Sequence, residues 1–506
     1  MNAPARPQPS TGTRHVDVLI VGAGLSGIGA AVHLARDCPQ KSVAIWEGRD
    51  ASGGTWDLFR YPGIRSDSDM FTLGYNFRPW TDNKAIADGP SILRYVRATA
   101  AEHAIDDKIA YGHKVIAADW STADARWTVT ARLPDGTTDT IGCSFLFMCS
   151  GYYDYDNPHD PEFAGREDFA GTIVHPQFWP EDLDYAGQRV VVVGSGATAM
   201  TLVPEMAKTA GHVTMLQRSP TYVVSRPGED AIANALRKVL PDRWAYAITR
   251  WKNVLLGRFF FTRARAKPAK VKATMTKWVA DNIGAELAKK HFTPRYNPWD
   301  QRVCLIPDGD LYAAINAGRA SVVTDTIDRF EADGIRLASG ELLPADIIVT
   351  ATGLRLQVGG GAAFSLDGAP IDFSKTFNYR GVMFSGVPNF AITFGYTNAS
   401  WTLKADLTSE YIGRLLNAMD ARGARVATPV PDGAIAPEPM LDFTSGYVER
   451  ALAILPKQGD RLPWKLNQNY FLDRKLLRKA PINDGVLRFS SPGVGAPTKT
   501  PVENAA

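Results

Sequence analysis

The sequence has few cysteines and no long apolar run. Its four cysteines, Cys38, Cys143, Cys149 and Cys304, lack the spacing of a metal site or a redox pair. We therefore expect reduced thiols in a cytoplasmic protein, and no metal. No run of about 18 apolar residues is present, which predicts no transmembrane segment. Residues 1–14 are polar and lack an apolar core, so we expect no signal peptide.

The chain also lacks an excess of charge. Lys and Arg number 56 and Asp and Glu 53, which gives a net charge of +3. There is no arginine-rich strip and no RNA-binding motif, which argues against a nucleic-acid partner. At 506 residues the chain is too long for one hydrophobic core, so we expect two or three domains.

The first nucleotide-binding pattern lies near the start of the chain. An apolar strand at 16–21 leads directly into the glycine loop 22–27, followed by an alanine-rich helix and a second strand that ends in Glu47. In this pattern Gly22 permits the tight turn, Gly24 lets the backbone approach a pyrophosphate, and Gly27 allows close packing of helix on strand. The helix N-terminus offers N–H groups to the phosphates, and Glu47 can accept hydrogen bonds from a ribose diol.

A second pattern of the same kind begins at Gly194. It reads Gly194-Ser195-Gly196-Ala197-Thr198-Ala199, with alanine at the third glycine position. Arg218 follows this loop at nearly the spacing at which Glu47 follows the first. An acid there suits a free 2′-hydroxyl, whereas an arginine suits a 2′-phosphate through charge-assisted hydrogen bonds. We therefore expect FAD at the first loop and NADPH rather than NADH at the second; the alternative for Arg218 is an ordinary surface charge.

Two loops are rich in aromatic residues. Residues 53–67 hold too many Gly and Pro for a helix or strand, yet are too aromatic for disorder. We interpret them as a structured loop beside the cofactor, with Asp67 as a candidate charge partner for a catalytic cation; the alternative is a loop cap. Residues 296–304 form the second aromatic loop and contain Arg302.

The stretch 169–180 lies between the two nucleotide patterns and is expected to connect two domains. Gly171 and two prolines suit a linker that holds one shape. His175 and Trp179 are larger than a passive linker requires. The alternative is an interdomain loop whose tryptophan fills a hole.

These patterns predict an α/β fold with two dinucleotide-binding, Rossmann-like, doubly wound domains and a helical insertion in the second. The insertion is rich in Lys, Arg and aromatic residues. We interpret it as packing on the nucleotide domain with snorkelling basic side chains, and peripheral contact with a membrane surface is the alternative. The expected boundaries are 1–150 and 385–489 for the FAD domain, 151–224 and 289–384 for the NADPH domain, 225–288 for the insertion, and 490–506 for a disordered tail.

Two longer motifs resemble those of class B flavoprotein monooxygenases, the Baeyer–Villiger monooxygenases. They are Gly53-Gly54-x-Trp56-x4-Tyr61-Pro62-Gly63-x3-Asp67 and Phe169-x-Gly171-x3-His175-x3-Trp179-Pro180. The runs 53–69, 296–304 and 395–403 resemble most the ethionamide-activating subgroup, which oxidises ketones and thio-compounds. The resemblance covers nearly the whole chain.

The resemblance implies FAD and NADPH as cofactors, and O2 with a small ketone or sulfide as substrates. A C4a-peroxyflavin would insert one oxygen atom next to a ketone carbonyl and give an ester or lactone. A buried peroxide anion needs a fixed positive charge, and arginine keeps its proton. Arg302, oriented by Asp67, is the candidate for this charge. His175, Trp179 and Gly171 would belong to a hinge between the domains, with no direct chemistry.

The implied cofactor contacts follow the motifs. Those to FAD are Gly22, Gly24, Gly27, Glu47, Gly54, Thr55, Trp56 and Asp67; those to NADPH are Gly194, Ser195, Gly196, Ala197, Thr198, Arg218 and Arg302. Gln301 departs from the better-studied cyclic-ketone and aryl-ketone members, which have a lysine there that helps to hold the 2′-phosphate. The task then falls more heavily on Arg218.

Other functions use similar patterns. A flavin-containing N- or S-monooxygenase would use the same cofactors but an electrophilic hydroperoxide, and would not require Arg302. A non-enzymatic NADP(H)-sensing protein would bind both nucleotides without substrate-stimulated oxidation. A disulfide reductase would need a cysteine pair after the first loop, and none is present. Ketone size, regiochemistry and oligomeric state stay open.

Overall fold

A computed structural model of the chain describes residues 14–301, 303–441 and 445–492. The helices in these ranges are α1 Leu25–Asp37, α2 Thr55–Leu58, α3 Met70–Leu73, α4 Gly89–Glu102, α5 Ala197–Met206, α6 Ala231–Arg237, α7 Asp242–Ala266, α8 Pro268–Ile283, α9 Ala285–His291, α10 Asp310–Asn316, α11 Trp401–Asp420, α12 Gly446–Ala451 and α13 Tyr470–Arg478.

The strands are short, and most belong to two large sheets. They are β1 His15–Val21, β2 Val43–Trp46, β3 Ile109–Ala110, β4 Lys114–Ser121, β5 Arg126–Arg132, β6 Thr138–Met148, β7 Thr172–Val174, β8 Arg189–Val193, β9 His212–Gln217, β10 Tyr222–Arg226, β11 Val303–Pro307, β12 Ala320–Thr324, β13 Ile327–Glu331, β14 Gly334–Leu337, β15 Leu342–Pro344, β16 Ile347–Thr350, β17 Ala363–Leu366, β18 Ala369–Pro370, β19 Asn378–Tyr379, β20 Met383–Phe384, β21 Phe390–Ile392, β22 Val426–Pro429, β23 Pro437–Pro439, β24 Lys457–Gly459 and β25 Leu487–Ser490.

The first sheet runs in the order β18-β17-β4-β5-β6-β1-β2-β3, and β21 also pairs with β6. Strands β2, β1, β6 and β21 are parallel, whereas β4, β5 and β6 form an antiparallel meander. Val18 and Ile20 of β1 pack against α1, α4 and α11 on one face. Leu19 and Val21 face the opposite core, which contains Trp127. Alternate residues of β1 thus serve both faces, as a buried parallel strand requires.

The chain returns to this first sheet earlier than the sequence suggested. Strand β17 already pairs with β4, well before the expected boundary at 384, and β21 then completes the sheet beside β6. We therefore propose that the second part of the first domain begins before residue 363. Strand β25 ends at Ser490, where the disordered tail was expected to begin, and residues 493–506 lie outside the described part.

The second sheet is wholly parallel, in the order β12-β9-β8-β16-β7. Helix α5 follows β8, and α5 packs with the strands in a core of its own. Because the strands are parallel, the loops after β8, β9 and β16 emerge at one edge of the sheet, where ligands bind in folds of this kind. The predicted α/β class with two dinucleotide-binding domains is confirmed by this topology.

The helical insertion, α6 to α9, lies between the paired strands β10 and β11. Helices α8 and α9 contact the second sheet's region, but α7 also packs on the first domain. Buried Arg250 of α7 donates to the carbonyl oxygens of Phe71 (2.9 Å) and Gly74 (2.7 Å) and pairs with Asp406 of α11 (3.2 Å). Asp406 in turn contacts Nε2 of buried His33 at 3.2 Å. The insertion therefore bridges the domains, whereas the sequence placed it on the NADPH domain alone.

Among the described helices, none has the length and apolar character needed to cross a bilayer. The described residues also contain no group of three or more His, Cys, Asp or Glu side chains placed to hold a metal ion.

Candidate active site

The first glycine loop is shaped by close packing. Gly22 has φ = +105°, and a Cβ there would lie 2.7 Å from the carbonyl oxygen of Cys149. A Cβ at Gly27 would lie 1.8 Å from the carbonyl oxygen of Gly22. At Gly24 the nearest atom to such a Cβ is Cα of Gly54, at 3.5 Å. Gly22 and Gly27 thus allow the tight turn and the close packing. At Gly24 the absence of a side chain leaves the space next to Gly54 open.

Glu47 ends β2 and is only 7% exposed. Its Oε2 accepts a hydrogen bond from Ala23 N (2.6 Å) and its Oε1 accepts one from Arg49 N (2.9 Å). Burial raises the pKa of this carboxyl above its ordinary value, and the backbone hydrogen bonds oppose that shift. A carboxylate has more lone pairs than these two bonds occupy, so Glu47 can still accept from a ribose diol.

A cavity of about 1480 Å³ runs from this loop along the aromatic loop to the insertion. It is lined by the candidate FAD residues Gly22, Gly24, Glu47, Gly54, Thr55, Trp56 and Asp67. Gly27 does not line it, because its position is taken up by helix packing. The structure therefore brings the predicted FAD residues of two separate motifs to one cavity.

Two cavity-lining polar groups were not predicted from the sequence. Nη1 of Arg49 and Oγ of Ser150 are buried and lack a hydrogen-bond partner among the described residues. The other terminal nitrogen of Arg49, Nη2, donates to buried Asp57 at 2.6 Å. Unpartnered buried polar atoms are rare in proteins, so this wall of the cavity fits a polar ligand. The sequence signal that could have pointed to Arg49 was its position two residues after Glu47.

The aromatic loop 53–67 does more than border a cofactor. Phe59 and Tyr61 pack in the core of the second domain. A Cβ at Gly63 would lie 2.8 Å from Cβ of Glu205 on α5. Nη1 of Arg65 pairs with Asp310 of α10 at 2.5 Å. The loop therefore starts in the first domain and is buried in the second, which the sequence did not indicate.

Asp67 lies at the end of this loop, on the cavity wall. Its charge acts with burial to raise the pKa of nearby Tyr61 to about 12, burial being the larger cause. The proposed partner, Arg302, lies outside the described residues. Its neighbours Val303 and Cys304, at the start of β11, line the same cavity as Asp67.

The second glycine loop is more open than the first. A Cβ at Gly194 would lie 2.4 Å from the carbonyl oxygen of Ala351, but one at Gly196 would meet nothing within 4 Å. Oγ of Ser195 is 3.1 Å from Oγ1 of Thr221. Ala197 and Thr198 at the start of α5 reach the large cavity. The loop thus offers an accessible helix N-terminus next to the first site, as a phosphate site requires.

Arg218 follows β9 and is exposed. Two further exposed arginines lie near it: Arg355 in the loop after β16, and Arg450 on α12. Leu356 packs with Val448 and Ala451, which holds α12 against that loop. Burial, and then the charges of Arg218 and Arg355, lower the pKa of Arg450. The edge of the second sheet therefore carries three arginines, of which the sequence indicated only Arg218.

The central stretch 169–180 contributes the edge strand β7 to the second sheet. A Cβ at Gly171 would lie 2.2 Å from the carbonyl oxygen of Asp346. Trp179 packs, partly buried, against the core of the second domain. The stretch is thus part of the second domain, and the connection between domains precedes it.

Gln177 ties this stretch to that connection, and His175 accepts a hydrogen bond from its backbone. Nδ1 of His175 accepts from Gln177 N at 3.1 Å, while its Nε2 is buried without a hydrogen-bond partner in the described part of the chain. Burial lowers the pKa of His175, although the backbone of Gly353 favours the protonated ring. Nε2 of Gln177 donates to the carbonyl oxygens of Asp154 (3.0 Å) and Tyr155 (2.8 Å).

Tyr155 extends this link to the first site. Its hydroxyl lies 3.1 Å from Oγ1 of Thr55, one of the candidate FAD residues. Burial raises the pKa of Tyr155 to about 12, so the hydroxyl stays neutral at physiological pH. A chain of contacts thus runs from the edge of the second sheet through Gln177 and Tyr155 to the aromatic loop 53–67. Sequence reasoning missed both residues, because neither belongs to a motif.

The fold and the cavity match known flavin enzymes. A family model described as flavin-binding monooxygenase-like matches residues 76–355, and an NAD(P)-binding Rossmann-like domain model matches residues 20–86. The first match covers more than half of the chain, so the chain belongs to the flavin-binding monooxygenase-like family. It is an NADPH-dependent flavoprotein monooxygenase with FAD as cofactor.

Particular relatives agree with this assignment. The FAD-containing monooxygenase EthA of Mycobacterium tuberculosis (strain ATCC 25618 / H37Rv) is 56% identical over 482 residues, which cover 94% of this chain and 98% of that protein. The probable FAD-binding monooxygenase AlmA of an Acinetobacter species is 48% identical over 491 residues, covering 96% and 99%. The predicted membership of a flavoprotein monooxygenase family is confirmed.

Solved structures show the same fold. An oxidized steroid monooxygenase bound to NADP superimposes with a TM-score of 0.70 at 25% identity, covering 83% of this chain and 88% of that one. An open form of cyclohexanone monooxygenase gives a TM-score of 0.72 at 21% identity, covering 83% and 91%, which is a likeness of fold.

Proposed function

We propose that the protein is a Baeyer–Villiger monooxygenase. It would convert a ketone, O2, NADPH and a proton into an ester or lactone, water and NADP⁺. The observation that carries this proposal is the shared cavity, in which Asp67 and the neighbours of Arg302 meet residues of the first glycine loop. Support also comes from the 56% identity to EthA, and we extend the proposal to sulfides and other thio-compounds.

The residues of this chain divide the work of binding. Bound FAD, once reduced, supplies the reaction with activated oxygen from O2. Glu47 would accept from the ribose, Nη1 of Arg49 is placed to donate to a phosphate or hydroxyl, and the N-terminus of α1 would face the pyrophosphate. Oγ of Ser150, which is also buried and lacks a partner among the described residues, would donate to another polar group of the cofactor. These groups would hold the cofactor and would not react during turnover.

Arg302 and Asp67 would supply the charge that oxygen transfer needs. In a water-poor cavity a fixed cation strongly stabilises a developing anion, and arginine cannot give up its proton. Asp67 would hold the guanidinium in place and moderate its charge. This pairing is supported by the position of Asp67 on the wall that Val303 and Cys304 also line.

Arg218, with Arg355 and Arg450, would hold the 2′-phosphate of NADPH. A dianionic phosphate brought among three cations gains charge-assisted hydrogen bonds and relieves their mutual repulsion. This group would take over the task of the lysine that Gln301 replaces. We further propose that the protein works in the cytoplasm, where its four buried thiols would stay reduced.

Product analysis tests the proposed reaction directly. Purified enzyme, NADPH and ¹⁸O2 would be supplied with linear, cyclic and aryl ketones and with sulfides. We expect an ester or lactone that carries one ¹⁸O atom per NADPH consumed. Sulfoxides without any ester would instead identify an S-monooxygenase, and nucleotide binding without substrate-stimulated NADPH oxidation would identify a sensor.

Replacing Arg302 tests the proposed mechanism. Removal of one preorganised electrostatic donor typically lowers the rate by about 10²–10³-fold, so ester formation should collapse in Arg302→Ala while FAD content stays normal. Arg302→Lys should rescue only partly, because a point charge does not reproduce the planar fork. Arg295→Ala, an exposed arginine of the same segment, is the matched control. Ester formation by Arg302→Ala near the wild-type rate would overturn the mechanism.

A further inference from the structure

Helix α7 carries an exposed apolar stripe. Trp244, Ile248, Trp251, Leu255 and Phe259 are 62%, 46%, 37%, 55% and 56% exposed, although each is large and apolar. Their spacing of three or four residues places them on one face of the helix. At 1.5 Å per residue the stripe is about 22 Å long. Buried residues of the same helix, such as Arg250, face the first domain. Trp244, Ile248 and Leu255 therefore point to solvent, whereas Trp251 also packs on α13.

Basic side chains flank this stripe. The helix contains Arg243, Lys252, Arg258, Arg263 and Arg265 besides buried Arg250, and Asp242 is its single acid. On a helical projection these five basic residues fall on both sides of the apolar stripe. Lys252 and Arg265 have acidic partners, Asp230 and Asp300, which leaves a net positive charge along the helix.

The stripe is continuous with the rim of the large cavity. Leu256, Phe259, Phe260 and Trp278 are exposed and also line the cavity, which the first glycine loop lines as well. Phe471 of α13 lies 5.9 Å from Trp251, ring centre to ring centre, and lines the cavity as well. The exposed apolar surface therefore borders an entrance to the cavity.

We propose that α7 docks the cavity entrance onto an anionic lipid bilayer. A helix with Trp, Phe and Leu on one face and basic side chains at the margins lies in the interfacial plane, with apolar residues among the acyl chains and basic residues at the headgroups. A second copy of this chain fits less well, because a symmetric contact through α7 would bring its arginines together. A lipophilic substrate dissolved in the bilayer would enter the cavity without crossing water.

Vesicle binding by the FAD-loaded enzyme tests this proposal. We would measure co-sedimentation with vesicles of phosphatidylglycerol and phosphatidylcholine, and with phosphatidylcholine alone. We expect binding to the anionic vesicles, at least tenfold weaker binding to the neutral ones, and weakening by salt. Absence of binding, or equal binding to both, would overturn the proposal.

Matched variants locate the contact. Trp244→Ser/Ile248→Ser/Leu255→Ser changes three stripe residues that do not line the cavity, and should weaken vesicle binding at least tenfold while FAD content and turnover of a water-soluble substrate persist. Leu287→Ser/Ile454→Ser/Leu462→Ser removes three apolar side chains that are 42%, 47% and 55% exposed elsewhere, and should bind like the wild type. Equal losses in both variants would overturn the assignment to α7.

The same variants distinguish a protein partner. Light scattering during size-exclusion chromatography would be recorded over a range of enzyme concentrations. We expect no change in mass between the wild type and the stripe variant. If the wild type formed a dimer and the stripe variant were a monomer, the surface would serve self-association, and the bilayer proposal would be overturned. This outcome is independent of whether the enzyme forms esters or sulfoxides.

Discussion

The two glycine loops share a sequence pattern but differ in how they are enclosed. The first is packed against Cys149 and Gly54 and is followed by a buried acid, Glu47. The second leaves Gly196 open and is followed by the exposed Arg218. An enclosed site releases its ligand slowly, whereas an open site with a charged rim suits exchange. The difference matches a retained flavin and a nicotinamide cosubstrate that enters and leaves.

The largest contrast is expected from adding one methyl group to each loop. In Gly27→Ala the new Cβ would lie 1.8 Å from the carbonyl oxygen of Gly22, so helix and strand must separate. We expect little soluble protein and no bound FAD. In Gly196→Ala the Cβ meets nothing within 4 Å, so folding and FAD should persist while KM for NADPH rises about tenfold. Protein yield and flavin absorbance measure folding and bound FAD, and steady-state kinetics measure KM. A Gly27→Ala protein that is stable and yellow would contradict the proposed difference between the two loops.

The charged rim of the second site should determine the choice of nucleotide. A charge-assisted hydrogen bond contributes about 1.5–3 kcal/mol, so Arg218→Ala should raise KM for NADPH by roughly 10–150-fold and leave KM for NADH nearly unchanged. Arg355→Ala and Arg450→Ala should act in the same direction but less. Arg319→Ala, an exposed arginine preceding β12 in the same sheet, is the control. If the ratio of KM for NADH to KM for NADPH were unchanged in Arg218→Ala, Arg218 would not have this role.

The buried acid of the first site should make FAD retention depend on pH. Because the folded-state pKa of Glu47 is raised above 4.5, the carboxylate takes up its proton at a higher pH than an ordinary glutamate. Protonation removes a charged acceptor for the ribose, so FAD affinity should fall, by about tenfold, as the pH decreases through that raised pKa. Glu47→Gln should bind FAD more weakly at neutral pH and lack this step. Flavin fluorescence of the filtrate after ultrafiltration measures the released FAD at each pH. An identical pH profile in Glu47→Gln would contradict the role of Glu47 in holding the ribose.

The smallest effect is expected where the two sites are joined. His175→Ala should slow turnover severalfold and leave FAD content intact, because His175 accepts from the backbone of Gln177, which hydrogen-bonds to the connection between the domains, and does not line the large cavity. Phe178→Ala changes a 53% exposed neighbour in the same stretch and should have no effect. Stopped-flow measurement of flavin reduction and reoxidation identifies the affected step. Loss of FAD or of soluble protein in His175→Ala would favour a purely structural role.

Features that depend on residues close together in the sequence could be predicted, whereas features that depend on contacts between distant segments could not. The glycine loops and Glu47 were predictable because turn, helix and acid lie within about thirty residues of one chain segment. Tyr155, Gln177 and Arg450 were not, because their importance depends on which distant segments the fold brings together. The loop 53–67 was placed beside the cofactor, but its burial in the second domain needs α5 and α10, which the local pattern does not contain. The entry of β17 into the first sheet depended in the same way on partners far along the chain.

The pairing of β21 with β6 has a consequence for how the chain reaches its native state. Residues 138–148 must wait for residues 390–392 before their sheet is complete, and the whole second domain is made in between. Contacts of such large sequence separation slow folding and expose unpaired strand edges meanwhile. During synthesis the second domain, whose strands β7 to β16 are contiguous apart from the insertion, can fold first. The amino-terminal domain, although synthesised earlier, is then the last to close.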